Sequence, residues 1–234
     1  MLPVDLIVLA GGRGSRLGGV LKPAVEVAGR TLLSRVLDAR PVARHAVVVG
    51  PPAAQSAAVL PGTAHAAGTP LIWALEDPPF GGPVAGLAAG LAALDAHAPL
   101  ETNLDDPEPP AGWLLVLACD LPWGADAARL LVAAASALEK TDDPQDGVHL
   151  VDSSSHAQWL AAIYRAPALR AAVARLGDRV DGASMRQLLA GVQLAGLRDD
   201  SGAGIDVDTW QDVKSSTVRL TDASVPDYSA RPEE

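Results

Sequence analysis

Four short runs of almost entirely apolar residues occur in the first half of the chain. They are residues 4–10 (VDLIVLA), 45–50 (HAVVVG), 71–76 (LIWALE) and 113–120 (WLLVLACD). Continuous apolar runs, as opposed to alternating ones, are typical of strands buried on both faces of a parallel sheet. Helix-like segments separate or follow these runs, at residues 31–39, 52–60, 83–96 and 125–140. This alternation predicts an α/β fold with a doubly wound, mostly parallel sheet.

The second half of the chain is less regular. Its pattern predicts strands at residues 147–151 and 159–165, and helices at residues 168–176 and 184–192. An acidic, proline-rich segment at residues 99–112 predicts a surface loop. From residue 215 the chain turns polar, which predicts a tail.

The charge and the cysteine content exclude several classes of function. A net charge of −10 and a pI near 4.8 argue against binding to nucleic acid or to an anionic membrane surface. The single cysteine, Cys119, allows no internal disulfide and indicates a reducing compartment. The N-terminal residues lack the basic region of a signal peptide, and no apolar run reaches the length of a membrane span. We therefore expect a cytoplasmic protein without a membrane partner.

A glycine-rich loop follows the first apolar run directly. Residues 9–23 read LAGGRGSRLGGVLKP and combine five glycines with Arg13, Arg16 and Lys22. Glycines let backbone N–H groups converge on an anion, so this composition predicts a phosphate-binding loop; the alternative is a tight turn without a ligand. A P-loop is excluded because Ser or Thr does not follow the lysine. The dinucleotide fingerprint fails because its last glycine would fall on Leu17.

The loop resembles the opening of the molybdenum cofactor guanylyltransferase family, in which LAGGxGxR is followed after a short spacing by lysine. Here Arg16 and Lys22 are six residues apart, through LGGVL. Four further segments are similar to elements of this family and occur in the same order. They are EDPPFGGPVAGLAAGL at 76–91, LACDLPW at 117–123, HAQWLAAIYR at 156–165 and GIDVDTWQDV at 204–213.

The resemblance implies a Rossmann-like nucleotidyltransferase fold and transfer of GMP from GTP to the phosphate of molybdopterin, with release of pyrophosphate. It implies one domain over residues 1–214, with a nucleotide-binding half at about 1–125 and an acceptor-binding half at about 126–214, before a polar tail at 215–234. Two alternatives stay open. One is a nucleotidyltransferase of the same fold that uses CTP or another acceptor, and the other is a nucleotide-binding module without turnover.

The resemblance also implies roles for individual residues. Arg13 and Arg16 hold the leaving phosphates, and Lys22 reaches the triphosphate; Arg16, Lys22 and Asp120 form the catalytic set. The other nucleotide contacts are Leu9, Ala10, Gly11, Gly12, Gly14, Asp77 and Gly82.

Three aspartates are candidate ligands for Mg²⁺. Asp120 ends an apolar run, and ligands of open α/β sheets bind beyond the carboxyl ends of the strands. Asp206 and Asp208 alternate, so both face one side of an extended segment. Mg²⁺ needs few protein ligands because water and phosphate oxygens complete its shell. The alternative for Asp120, and for the Asp206–Asp208 pair, is capping of the helix that follows, and the sequence does not choose between Asp206 and Asp208.

Overall fold

A sheet of seven strands forms the centre of the computed structural model, which describes residues 2–12, 15–58, 71–101, 111–141 and 144–222. The strands are β1 (Val4–Leu9), β2 (Glu26–Val27), β3 (Arg30–Thr31), β4 (Ala46–Val49), β5 (Leu71–Ala74), β6 (Trp113–Ala118), β7 (Gly147–Val151), β8 (Ala157–Arg165) and β9 (Leu194–Arg198). The α-helices are α1 (Leu32–Val36), α2 (Gly82–Glu101), α3 (Gly124–Leu138), α4 (Ala166–Leu176), α5 (Met185–Leu188) and α6 (Trp210–Asp222).

The central sheet has the strand order β5-β4-β1-β6-β8-β7-β9. β1 pairs in parallel with β4 and β6, β4 with β5, and β7 with β9. β8 lies between β6 and β7 and runs antiparallel to both. The predicted fold class, a doubly wound and mostly parallel α/β sheet, is confirmed. The antiparallel insertion of β8 and the edge strand β9 are features that the sequence pattern did not predict.

The sheet is buried on both faces, as the continuous apolar runs predict. In β1, Val4, Leu6 and Val8 pack into one core cluster, while Ile7 and Leu9 pack into the cluster on the opposite face. Helix α3 covers the first face, and helices α2, α4 and α5 cover the second. The parallel strands β4, β1 and β6 therefore bring their carboxyl ends to one edge of a rigid sheet.

Several predicted helices are shorter or tighter in the structure. Residues 52–60 were expected to form a helix, and Pro52–Ala58 forms a 3-10 helix. The helix expected at 184–192 is reduced to α5, which a capping box of Ser184 and Gln187 starts and after which Gly191 adopts a positive φ of 84°. Turns follow Leu188 in place of the longer helix, and the left-handed backbone conformation of Gly191 could not be part of a helix.

Two predicted boundaries differ from those of the structure. Helix α2 extends to Glu101, so it includes the start of the predicted loop at 99–112, of which residues 102–110 lie outside the described residues. Helix α6 continues to Asp222 with Ser216 buried, so the boundary expected at 215 falls inside a helix. Residues 223–234 of the predicted tail lie outside the described residues.

None of the described helices has the length and apolar character required to cross a membrane.

Candidate active site

A cleft of about 310 Å³ lies where β1 and β6 end side by side. Leu9 of β1 is in register with Ala118 of β6, and the chain continues from these residues into the glycine-rich loop and into Asp120. The cleft is lined by Leu9, Gly11, Gly12, Val49, Glu76, Phe80, Gly82, Pro83, Gly86, Ala118, Cys119, Asp120 and Leu160. Five predicted site residues are in this set, namely Leu9, Gly11, Gly12, Gly82 and Asp120. This position is where ligands of open α/β sheets bind.

The glycine-rich loop depends on glycine at particular positions. Gly12, Gly18 and Gly19 have φ values of 123°, 78° and 79°, which side-chain-bearing residues rarely adopt. Leu17 is buried with Val25 and Val207, so an apolar contact anchors the middle of the loop. Of the predicted loop contacts, Arg13 and Gly14 lie outside the described residues.

Lys22 lies between two carboxylates at the polar end of the cleft. Its Nζ is 2.6 Å from Asp120 Oδ2 and 2.5 Å from Asp208 Oδ1. Arg16 Nη1 is 2.6 Å from the other oxygen of Asp208. The structure therefore brings together four predicted residues, Arg16, Lys22, Asp120 and Asp208, from three distant parts of the sequence.

A backbone hydrogen bond holds the third of these parts in place. The N–H of Val207 donates to the carbonyl of Asp120 over 2.9 Å, and the Val207 side chain is fully buried. Residues on either side of Val207, Asp206 and Asp208, are thus fixed beside the end of β6. Upstream, the carboxylate of Asp199 accepts a hydrogen bond from the N–H of Gly204 over 2.7 Å and shapes the approach to this segment.

Helix capping, the alternative role of these aspartates, is carried out by other residues. Before α6, Thr209 Oγ1 accepts from the N–H of Asp212 over 3.2 Å, and the Asp212 carboxylate accepts from the N–H of Thr209 over 2.7 Å. Before α3, the capping residue is Trp123, and no side-chain cap is formed. Asp120, Asp206 and Asp208 are therefore not helix caps.

The charges of the site shift several pKa values. Burial alone lowers the pKa of Lys22, but its ion pairs with Asp120 and Asp208 outweigh this effect and raise the pKa above the ordinary value of lysine. The hydrogen bond from Lys22 lowers the pKa of Asp208. Partial removal from water raises the pKa of Asp206, and the neighbouring charges of Asp120 and Asp208 raise it further. Asp206 is thus a carboxylate that a cation would stabilise.

The three aspartates fit a divalent cation. One oxygen of each of Asp120, Asp206 and Asp208 lies within 4.8 Å of the other two. Asp120 Oδ1 is also a buried oxygen without a hydrogen-bond partner among the described residues. Carboxylate oxygens are the protein ligands that Mg²⁺ takes. Both Asp206 and Asp208 are in reach, so the geometry keeps both as candidate ligands.

The acidic pair at residues 76 and 77 has one buried and one exposed member. Asp77, the predicted nucleotide contact, is exposed and does not line the cleft. Glu76 is only 8% exposed and does line it. Sequence reasoning missed Glu76 because it ends an apolar run and was counted as part of the strand. The signal for Glu76 is a charged residue at the carboxyl end of an apolar run, the position at which open α/β sheets bind ligands.

The doubly wound sheet and the cleft at the carboxyl ends of its strands place the protein in the structural class of ligand-binding α/β proteins. Within this class, the chain belongs to the family described as the MobA-like NTP transferase domain, which matches residues 6–197. The resemblance of the chain to this family is thereby confirmed, and the segment at 204–213 lies beyond the matched residues.

One curated relative is the molybdenum cofactor guanylyltransferase of Rhodopseudomonas palustris, with 34% identity over 122 residues. That match covers 50% of this chain and 48% of the relative, so the chain spans about half the length of the curated relative in this comparison.

Two solved structures cover nearly the whole chain. Molybdopterin-guanine dinucleotide biosynthesis protein A of Archaeoglobus fulgidus has a TM-score of 0.63 at 18% identity, covering 93% of this chain and 99% of its own. The 2-C-methyl-D-erythritol 4-phosphate cytidylyltransferase of Thermus thermophilus has a TM-score of 0.58 at 17% identity, covering 94% and 100%. At these identities the likeness establishes the shared fold.

Proposed function

We propose that the protein transfers GMP from GTP to the phosphate of molybdopterin and releases pyrophosphate. The observation that carries the proposal is the cluster of Lys22, Arg16 and Asp120 at one end of a nucleotide-sized cleft. Membership of the MobA-like family and the name of the Rhodopseudomonas palustris relative support the choice of donor and acceptor.

The reaction needs no covalent protein nucleophile. An oxygen of the acceptor phosphate forms a bond to the α-phosphorus of GTP, and the bond from that phosphorus to the bridging oxygen of the β-phosphate breaks. Pyrophosphate leaves with the electron pair. The protein's contribution is to align the two phosphates and to neutralise their charge.

The basic residues of the site provide that neutralisation. Lys22 is held at the carboxyl end of β6 by Asp120, and this position supports a contact of its ammonium group with the triphosphate. Arg16 is more exposed, and its partner among the described residues is Asp208, so its side chain can move towards the leaving phosphates. The backbone of Leu9, Ala10 and Gly11 lines the ribose and base, while a phosphate contact by Arg13 stays a prediction.

Asp120, with Asp206 or Asp208, would hold Mg²⁺. The three carboxylates outnumber Lys22 and Arg16 by one charge, which suits a divalent cation. When bound, the cation neutralises phosphate oxygens and polarises the α-phosphate. A cytoplasmic location and the lack of nucleic-acid and membrane partners are kept as predictions from the composition.

Transfer from CTP is the second candidate. The cytidylyltransferase of Thermus thermophilus shares the fold over 94% of this chain, so the fold itself suits either base. A module that binds nucleotide without turnover is disfavoured by the assembled Lys22–Asp120 pair.

Thermal unfolding with each nucleotide tests the proposal. GTP, CTP, ATP and UTP are added with and without Mg²⁺, and a ligand at a hundred times its Kd stabilises the fold by about 2.7 kcal/mol. We expect the largest shift with Mg²⁺ and GTP, followed by magnesium-dependent pyrophosphate release when molybdopterin is supplied. A shift with CTP alone favours the second candidate, and a shift with GTP but no pyrophosphate release favours the binding module.

A further inference from the structure

A buried carboxylate lies in the otherwise apolar part of the cleft. Glu76 follows β5 and is 8% exposed, and the cleft around it is lined by Leu9, Val49 and Leu160. Glu76 follows β5 and Asp120 follows β6, and β4 and β1 lie between these two strands in the sheet, so Lys22 beside Asp120 belongs to the other end of the cleft. A buried carboxylate is costly unless it receives hydrogen bonds, so its presence here needs a reason.

The hydrogen bonds that Glu76 accepts within the protein leave part of the acceptor capacity of its carboxylate unused. Oε1 accepts a hydrogen bond from the N–H of Phe80 over 3.1 Å, and no described residue donates to Oε2. The two oxygens face glycines on both sides. A Cβ at Gly11 would lie 3.7 Å from Oε1, and a Cβ at Gly86 would lie 3.6 Å from Oε2. A carboxylate has about four acceptor sites, so this one can take further donors from a ligand in the cleft.

The sign of the charge decides which part of a nucleotide can approach Glu76. Phosphates are repelled by a carboxylate and attracted to Lys22, so a nucleoside triphosphate binds with its phosphates at Lys22 and its base at Glu76. Guanine presents two neighbouring donors, the N1–H and the 2-amino group. Cytosine and adenine each place a single amino donor beside a ring nitrogen that accepts, and this lone pair opposes a carboxylate.

We propose that Glu76 is the residue that selects guanine, by accepting hydrogen bonds from the N1–H and the 2-amino group of the base. This inference rests on the proposed function and names the part of the site that determines its base specificity. Phe80, which also lines the cleft and has a φ of 68°, is held by Oε1 of the same side chain. Glu76 therefore shapes the rim of the base pocket and reads the edge of the base.

Binding of four nucleotides to the wild type and to E76Q tests the inference. Calorimetry with Mg²⁺ gives Kd for GTP, ITP, XTP and CTP; ITP lacks the 2-amino group, and XTP has an oxygen in its place. The glutamine of E76Q keeps an oxygen for the N–H of Phe80 but replaces the other acceptor with a donor. We expect E76Q to lose about 10- to 100-fold in affinity for GTP and to gain affinity for XTP.

The change of preference distinguishes base recognition from support of the loop. If Glu76 had a purely structural role, E76Q would bind all four nucleotides more weakly by similar factors, and this result would overturn the inference. E26Q is the matched control, since Glu26 is an exposed glutamate of β2, and it should bind GTP as the wild type does. If E76Q does not fold, the wild type decides, because guanine recognition requires GTP to bind about tenfold or more tightly than ITP.

The remaining outcomes separate this inference from the proposed function. Equal affinity of the wild type for GTP and ITP overturns the role of Glu76 and leaves GMP transfer intact. Tighter binding of CTP than of GTP overturns both the selection of guanine and the guanylyl donor, while the nucleotidyltransferase class stands. Absence of binding by any nucleotide overturns the proposed function as well.

Discussion

Lys22 and Asp120 form an ion pair in which Nζ lies 2.6 Å from Oδ2, and the two side chains are only 12% and 17% exposed. Because Lys22 contacts Asp208 as well, it keeps two carboxylates of the candidate metal site from facing each other without a counter-charge. Lys22 thus supplies the positive charge that these carboxylates require. A bound cation and a bound triphosphate would each change the partners of Lys22.

Replacement of Lys22 should therefore affect both stability and activity. In K22M, Asp120 and Asp208 lose their shared donor, and we expect the free energy of unfolding to fall by about 2 kcal/mol without metal. Mg²⁺ should restore more stability to K22M than it adds to the wild type, while turnover should fall about 100-fold or more because the proposed phosphate contact is lost. Urea unfolding with and without Mg²⁺ measures the first effect.

The matched control is K214M, which removes an exposed lysine of α6. This variant should unfold as the wild type does at both Mg²⁺ concentrations. Equal stability of K22M and wild type without metal would contradict the account of the ion pairs.

Asp206 and Asp208 should respond differently to the loss of their charge. Asp208 accepts hydrogen bonds from Lys22 and Arg16, so D208N should lower the melting temperature without metal. The raised pKa of Asp206 indicates that its charge is unfavourable in the free protein, so D206N should melt at or above the wild-type temperature. Titration with Mg²⁺ followed by calorimetry then shows which replacement weakens metal binding by about tenfold or more.

This comparison shows which of the two aspartates binds Mg²⁺, a question that the spacing in the sequence leaves open. Loss of Mg²⁺ affinity in D206N alone identifies Asp206 as the partner of Asp120, with Asp208 as the residue that positions Lys22 and Arg16. A drop in the metal-free melting temperature of D206N would contradict the unfavourable charge that the raised pKa of Asp206 indicates.

Six of the seven strands of the central sheet could be predicted from apolar runs, but the antiparallel direction of β8 could not. A run such as that of β8 has the same pattern in either direction, so its antiparallel insertion follows only from packing. β9 was missed because the edge strand includes Gly196 and Arg198 and is only partly buried. Its residues are stabilised by pairing with β7 and have little apolar signal of their own.

The cluster of Arg16, Lys22, Asp120 and Asp208 could be predicted because its residues lie in recognisable motifs. No motif indicates that Glu76 is buried. Gly11 and Gly86, which lie beside its carboxylate, come from other parts of the chain. The sequence could not distinguish Asp206 from Asp208 for a related reason. Alternate residues face one side, and only the contacts of Lys22 and Arg16 distinguish the two.

Gly50 should be required for the shape of the nucleotide loop. A Cβ at this position would lie 2.9 Å from the carbonyl oxygen of Ala10 and 3.0 Å from its carbonyl carbon. Ala10 is buried between Leu9 and Gly11, which both line the cleft, so G50A must displace backbone next to the cleft wall. We expect a loss of about 1 to 3 kcal/mol in the free energy of unfolding and weaker binding of GTP.

The control for Gly50 is G112A, since a Cβ at Gly112 meets no atom within 4 Å. Thermal unfolding and GTP calorimetry on both variants give the comparison. Wild-type affinity for GTP in a folded G50A protein would show that the position of Ala10 does not determine nucleotide binding.

Asp199 should make the stability of the C-terminal segment depend on pH. Burial on its own raises the pKa of Asp199, but hydrogen bonds from the backbone of Gly204 and from the hydroxyl of Ser201 outweigh it and lower the pKa below the ordinary value of 3.8. Because the folded pKa is depressed, the stabilisation is fully present above about pH 4 and is lost as the pH falls through the folded value.

The variant D199N removes the charge that these donors stabilise. At pH 7 we expect it to lower the free energy of unfolding by about 1 to 3 kcal/mol. The difference from the wild type should shrink below pH 4, because the wild-type carboxyl then becomes neutral too. D200N is the control, since the side chain of Asp200 is 80% exposed. A difference between D199N and wild type that stays constant from pH 7 to pH 3 would show that shape, rather than charge, accounts for the role of Asp199 in holding the segment of Asp206 and Asp208.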